Sequence, residues 1–136
     1  MLGYLQDSNP DLTKQESTNN ALTECATFAD DIKSMGYDFQ SDWHFKDQPY
    51  LDQGGSLDDY DFTLPAYNSV DAMTDLTAFL KGEITETGDS FYVDQIAQYF
   101  SDVRDQQSFA LRMIVHYVGD IHQPLHATTL VDDAYP

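Results

Sequence analysis

The sequence has few positive charges and a single cysteine. Six lysines and arginines stand against 24 aspartates and glutamates, which gives a formal net charge of −18. This balance argues against a basic surface for duplex nucleic acid or anionic lipid, because phosphate contacts need Lys and Arg. If the substrate is a phosphate ester, bound metal must supply the cations. Cys25 has no disulfide partner in the chain, and its place in an apolar helical pattern predicts a buried, inert thiol.

Long apolar segments are also missing. No stretch approaches the roughly twenty apolar residues of a membrane span, and the first residues lack the basic start and apolar run of a signal peptide. The chain has 136 residues, 41% of them hydrophobic, which is enough for one domain with a modest core. Because the chain stops soon after its richest cluster of candidate ligands, we expect residues 1–136 to form a single, partial domain.

Apolar residues at helical spacing predict an all-α fold. The four predicted helices cover about residues 18 to 35, a segment between an Asn68 or Ser69 cap and Gly82, about 90 to 103, and about 105 to 122. No segment alternates for long enough to predict a strand. Residues 37–67 show no sustained period, and a loop of that length in a compact domain is usually functional.

Three of the four histidines lie within eleven residues, on the last predicted helix and just after it. His116 and Asp120 are one turn apart, so both side chains project from one face, as two ligands of a divalent metal must. Pro124 ends the helix, so the His126 side chain can lie at a different position from that of His116. His122 points elsewhere. It is predicted to lie at the surface or to contact a ligand residue, rather than to bind the metal itself.

A second acid–histidine pair lies upstream. Asp30 and Lys33 are one turn apart on the first predicted helix, and His44 lies in the aromatic-rich loop. Taken alone, the first two would be an ordinary solvated ion pair worth a few tenths of a kcal/mol, and His44 a packed loop histidine. Together with the downstream pair they offer two carboxylates and two imidazoles. This set suits zinc and leaves coordination open for water or substrate.

Three segments resemble a known family. They are Phe28-Ala-Asp-Asp-Ile-Lys33, Trp43-His-Phe-Lys-Asp47 and Leu111-Arg-Met-Ile-Val-His-Tyr-Val-Gly-Asp-Ile-His-Gln-Pro-Leu-His126. In this order and spacing they resemble the zinc-dependent single-strand nucleases of fungi, plants and protists, the S1/P1 nucleases, which share a fold with zinc phospholipase C. The resemblance covers about residues 20 to 128.

The resemblance implies an all-α phospholipase C/nuclease-type fold with three clustered zinc ions. Such an enzyme hydrolyses phosphodiester bonds of single-stranded DNA and RNA with a metal-activated water, and it often removes 3′-phosphates from nucleotides. The expected substrates are therefore single-stranded nucleic acid or nucleotides, with no membrane and no protein partner implied. The full-length form is expected to be secreted or lumenal, although this chain shows no signal peptide.

By matched position, the resemblance also implies a role for each site residue. Asp30, His44, His116 and Asp120 would hold the first zinc, with Asp120 bridging to a neighbouring ion and His126 serving the remaining one. The two catalytic residues would be Asp30, which also orients the attacking water, and Lys33, which lies near the phosphate. Phe45 and Asp47 would stack on and hydrogen-bond a base.

The sequence also departs from the family. The family begins with a zinc-binding Trp followed by a ligand His, and it has further ligands downstream of the His126 position. This chain begins at Met1 and ends before those ligands, and Phe28 replaces a Trp. One zinc site is therefore expected to be nearly complete, and the activity of this piece stays open. Two alternatives remain, a phospholipase C-like enzyme acting on a phospholipid head group and a helical metal-binding or structural domain without turnover.

Overall fold

The computed structural model describes residues 1–13 and 20–132. Within these ranges the fold is mostly helical, so the predicted all-α class is confirmed, and no described helix is long and apolar enough to cross a membrane. The helices are α1 (Gly3–Ser8), α2 (Ala21–Asp31), α3 (Ser69–Leu80), α4 (Phe91–Tyr99), α5 (Val103–Asp120) and α6 (Pro124–Ala127), and the strands are β1 (Gln48–Leu51) and β2 (Thr128–Val131). Short 3₁₀-helices cover Ile32–Met35, Asp38–His44 and Leu57–Asp59.

Helix α5 forms the centre of the fold, and α1, α2, α3 and α4 all pack against it. Its buried residues include Phe109, Met113, His116 and Tyr117, whose spacings of three and four place them on one helical face. The core belongs to a single cluster that includes Phe28 and Ile32 of α2, Leu76 of α3, Ile96 of α4, and Phe109, Ala110, Met113 and Tyr117 of α5. Burying each large apolar side chain contributes about 1.5–3 kcal/mol. The helix that carries His116 and Asp120 is therefore held rigidly by the core.

The predicted helices are confirmed, with corrected ends. The first is α2, which Asn20 caps by accepting a hydrogen bond from the Thr23 N–H; it ends at Asp31 and continues as a 3₁₀-helix up to Gly36. Its predicted start at residue 18 lies outside the described residues. Asn68 is the cap of α3. Helix α4 ends at Tyr99, earlier than predicted, because Phe100 takes an extended conformation that buries its ring in the core.

The segment 37–67 is more regular than its sequence predicts. It contains two of the 3₁₀-helices and β1, which pairs in parallel with β2 so that Gln48 lies opposite Thr128. The expectation of no strand is wrong here, because four-residue strands are too short to show alternation and their partners are distant in sequence. The backbone N–H of Lys46 also donates to the His126 carbonyl oxygen at 2.8 Å. The segment is therefore fastened beside the end of α5.

Candidate metal centre

The five residues predicted as metal ligands come together from four elements. Asp30 lies near the end of α2, and His44 is the last residue of the 3₁₀-helix Asp38–His44. His116 and Asp120 lie one turn apart on α5, and His126 lies on α6. Because α2 packs along α5, the upstream acid and the downstream pair meet at one point.

The ligand atoms are close enough to share one ion. The Nδ1 atom of His44 lies 2.8 Å from Asp120 Oδ2 and 3.2 Å from His116 Nε2, which is also 3.2 Å from Asp120 Oδ2. The Asp30 carboxylate lies further out, 3.9 Å from His44 Nδ1 and 3.7 Å from His116 Nε2. Neighbouring ligands of a tetrahedral zinc, with bonds of about 2.0–2.1 Å, are about 3.3 Å apart. The distances between neighbouring ligand atoms in the cluster run from 2.8 to 3.9 Å, on both sides of that value.

The protonation of the two imidazoles tests whether a metal fits. His116 Nδ1 lies 2.8 Å from the Ala26 carbonyl oxygen, which can only accept, so this nitrogen carries a proton and Nε2 is the nitrogen that faces the cluster. Burial, assisted by the positive charge of Lys33, lowers the pKa of His44 to about 4. One nitrogen of each imidazole and the two carboxylates therefore converge on the same place. This donor set suits a divalent metal such as zinc.

The cluster is closed on its inner side and open at Asp30. The side chains of His44, His116 and Asp120 are 1%, 4% and 13% exposed, whereas that of Asp30 is 62% exposed. Lys33 Nζ donates to Asp30 Oδ1 at 3.0 Å. Burial acts to raise the pKa of Asp30, but the Lys33 hydrogen bond and charge and the nearby imidazoles bring it below its usual value. Water or a substrate can therefore approach from the Asp30–Lys33 side.

His126 lies on the other side of Asp120. Its Nδ1 is 3.5 Å from Asp120 Oδ1, the oxygen that does not face His44 and His116, and 3.3 Å from the His44 carbonyl oxygen. Asp120 thus stands between two groups of imidazoles, an arrangement compatible with the predicted bridging role. His122 is exposed and its Nδ1 lies 2.6 Å from the Val118 carbonyl oxygen.

The two residues predicted to contact a base lie beside His126. The Phe45 ring stacks on the His126 imidazole with centroids 4.6 Å apart and an interplanar angle of 29°. Asp47 follows with a φ of 49°, a left-handed conformation uncommon outside glycine. Burial raises the pKa of Asp47, as does the charge of Asp42, while His126 opposes the rise. Neither residue lies among the groups around Asp30, so any base contact would be made from the His126 side.

Sequence reasoning missed Gln40. This side chain is fully buried, and its Oε1 lies 2.7 Å from His44 Nε2, on the side of the ring opposite the ligand cluster. The segment shows no hydrophobic period that points to a contact. The available signal was the Gln-x-x-x-His spacing, which is about one helical turn.

The fold and this cluster together define a helical protein with a site of the kind found in metal-dependent hydrolases. A family model described as S1/P1 Nuclease matches residues 4–134, and the chain belongs to that family. Neither the curated proteins nor the solved structures give a significant match. Family membership supports a hydrolase that acts on the phosphodiester bonds of nucleic acid.

Proposed function

We propose that the protein is a zinc-dependent endonuclease that hydrolyses phosphodiester bonds of single-stranded DNA and RNA. The observation that carries this proposal is the convergence of Asp30, His44 and His116 at a site open on one side, in a chain of the S1/P1 nuclease family. Asp120 adds a second carboxylate, 2.8 Å from His44 Nδ1. Asp30, His44, His116 and Asp120 would hold the first zinc. His126, facing the second oxygen of Asp120, would serve a neighbouring ion.

The charge of the protein explains why metal is needed at a phosphate. The net charge is −18, and two of the six Lys and Arg side chains are engaged elsewhere. Arg112 is fully buried beside Glu24, and Arg104 pairs with Asp102 on the surface. Among the described residues, Lys33 is the cation seen to contact the cluster. Bound zinc would supply the positive charge for the phosphodiester, a Lewis acid for the leaving oxygen and a water of lowered pKa.

The side chains around the open face would have separate roles. The exposed Asp30 carboxylate would orient the attacking water, and Lys33 would move its hydrogen bond from Asp30 toward an incoming phosphate oxygen. Phe45 would stack on a base and Asp47 would hydrogen-bond it. Stacking on an aromatic ring contributes about 1–3 kcal/mol per base and needs an unpaired base, which favours single strands.

The test is to load the full chain with zinc and to compare four substrates. These are a single-stranded oligonucleotide, the same sequence as a duplex, a nucleoside 3′-phosphate and vesicles of a zwitterionic phospholipid. We expect faster cleavage of the single strand than of the duplex, loss of cleavage with a chelator and recovery with added zinc. Release of phosphate from the nucleotide would extend the activity to 3′-nucleotidase action.

Two variants make the test specific to the site. Asp120→Asn should lose both tight zinc binding and cleavage, whereas His122→Asn, in the turn just after the same helix and outside the cluster, should keep both. Hydrolysis of the phospholipid in place of nucleic acid would overturn the nuclease proposal in favour of a phospholipase C-like enzyme. A zinc-loaded chain that cleaves none of the four substrates would overturn catalysis by this chain and leave a metal-binding domain.

The proposed location follows from the same family. We propose that the protein is secreted or lumenal. Expression from the native gene, followed by assay of the medium and of the cell contents, tests this. Recovery of the protein only from the cytosol would contradict it.

A further inference from the structure

Gln40 is a buried polar side chain next to the candidate site, and it has four hydrogen-bond partners. It is fully buried, with 0% relative exposure. Its Nε2 donates to the backbone carbonyl oxygens of Ala29, at 2.7 Å, and of Tyr37, at 3.3 Å. Its Oε1 lies 2.7 Å from His44 Nε2 and accepts from the Tyr117 hydroxyl at 3.0 Å. All four hydrogen-bonding positions of the amide, two donors and two acceptors, are thereby used.

These contacts fix which way the amide faces. A backbone carbonyl oxygen can only accept, so the Ala29 and Tyr37 carbonyls require the NH₂ end of Gln40 on their side. The carbonyl end must then face His44 and Tyr117. A reversed amide would set an oxygen against two carbonyl oxygens in a buried, low-dielectric place, which is costly.

The orientation of the amide determines the protonation of one ring nitrogen. Because Oε1 of Gln40 can only accept, His44 Nε2 must donate and must carry a proton. A ring that carries its one proton on Nε2 leaves the lone pair of Nδ1 free for a metal. This is the nitrogen that lies 2.8 Å from Asp120 Oδ2 and 3.2 Å from His116 Nε2.

We propose that Gln40 is the positioning residue that holds the proton of His44 on Nε2 and so keeps Nδ1 available as a metal ligand. The need for it comes from Asp120, because a carboxylate oxygen at 2.8 Å would otherwise attract the single proton of the ring to Nδ1. A proton there would occupy the ligand position. The acceptor that Gln40 provides on the far side of the ring opposes this, and hydrogen bonds of this kind commonly change metal affinity by about 10- to 100-fold.

This inference rests on the proposed zinc site, but its first test needs no metal. Long-range ¹H–¹⁵N correlation spectra of the metal-free full chain near neutral pH report which nitrogens of His44 carry protons. We expect a protonated Nε2 whose proton exchanges slowly with water, because it is buried and hydrogen-bonded. A His44 ring protonated on Nδ1, with or without a proton on Nε2, would overturn the proposal. This result would stand whether or not the chain cleaves nucleic acid.

The second test compares zinc affinity in two variants. Gln40→Met keeps the length of the side chain but removes the acceptor, and it should raise the zinc dissociation constant about 10- to 100-fold. Tyr117→Phe is the matched control. It removes the other donor to Gln40 Oε1 and keeps the ring that lies edge-on to His44 with centroids 5.1 Å apart. Its zinc affinity should stay close to that of the unmodified protein.

The pair of variants separates positioning from general damage to the core. A large loss of affinity in Gln40→Met alone, with faster exchange of the His44 Nε2 proton, supports the proposal. Equal losses in both variants, or an unchanged affinity in Gln40→Met, would overturn it. If Gln40→Met does not fold, the spectrum of the unmodified metal-free protein still tests the proposal.

Discussion

Zinc should stabilise the protein, and replacing Asp120 by Asn should remove that stabilisation without harming the metal-free fold. The Asp120 carboxylate lies 2.8 Å from His44 Nδ1, 3.2 Å from His116 Nε2 and 3.5 Å from His126 Nδ1. An Asn at this position keeps the shape of the carboxylate and could donate an N–H to His44. The substitution should therefore leave metal-free stability unchanged or slightly higher. In the zinc-loaded protein the substitution removes a metal ligand.

The magnitude follows from binding linkage. At free zinc 100-fold above the dissociation constant, binding to the folded state alone adds about 2.7 kcal/mol to the free energy of unfolding. For a domain of this size each kcal/mol raises the melting temperature by about 3–5 °C, so zinc should raise it by about 8–13 °C. Thermal unfolding of the unmodified protein, Asp120→Asn and the control His122→Asn, each with zinc and with chelator, measures these increments.

The test compares the change in melting temperature with zinc and without zinc. General damage would lower the melting temperature of Asp120→Asn equally with and without zinc. The site described here predicts a loss in zinc only, with the His122→Asn increment intact. An Asp120→Asn variant that keeps the full zinc increment would refute the assignment of Asp120 as a ligand.

Three further predictions concern single side chains. Lys33→Gln should keep zinc binding but lower kcat on a single-stranded oligonucleotide by about 100-fold, the usual scale for losing one group that stabilises transition-state charge; an unchanged kcat would remove Lys33 from the mechanism. Phe45→Ala should weaken binding of a single strand by about 1–3 kcal/mol in a titration of the zinc-loaded protein with a cleavage-resistant phosphorothioate strand, and equal affinity would show that its ring does not stack on a base. Cys25 is buried, its thiol contacts the Ala21 carbonyl oxygen at 3.0 Å, and burial raises the pKa of the thiol. A thiol reagent should therefore modify Cys25 only as fast as the protein unfolds. Rapid labelling of the folded protein would contradict the burial of Cys25.

The predictable part of the fold is the part set by local sequence. Helices α3 and α5 follow from apolar spacing and caps within each segment, and Asn68 was recognisable as a cap from sequence alone. The paired strands were not, because each is four residues long and is stabilised by a partner about eighty residues away. The end of α4 was missed for a similar reason, since tertiary burial of Phe100 overrides its helical period.

The same division applies to the site. His116 and Asp120 were predictable as a pair because a helix places residues four apart on one face. The contact of His116 with Asp30 depends on how α2 packs on α5. The sequence suggested it only through the grouping of two acid–histidine pairs and through the family resemblance. The role of Gln40 could not be read from the sequence. It depends on four partners, namely Ala29, Tyr37, His44 and Tyr117, brought together by a 3₁₀-helix within a segment that has no apolar period.

The central claim is that one divalent metal is held by two imidazoles and two carboxylates at the junction of α2, α5 and the 3₁₀-helix before Phe45. Anomalous diffraction at the zinc absorption edge from crystals of the zinc-loaded full chain tests it most directly. The predicted result is a zinc peak within about 2.0–2.2 Å of His44 Nδ1, His116 Nε2 and carboxylate oxygens of Asp30 and Asp120. Zinc bound only elsewhere on the acidic surface, or a His44 ring turned so that Nε2 faces the metal, would contradict the account.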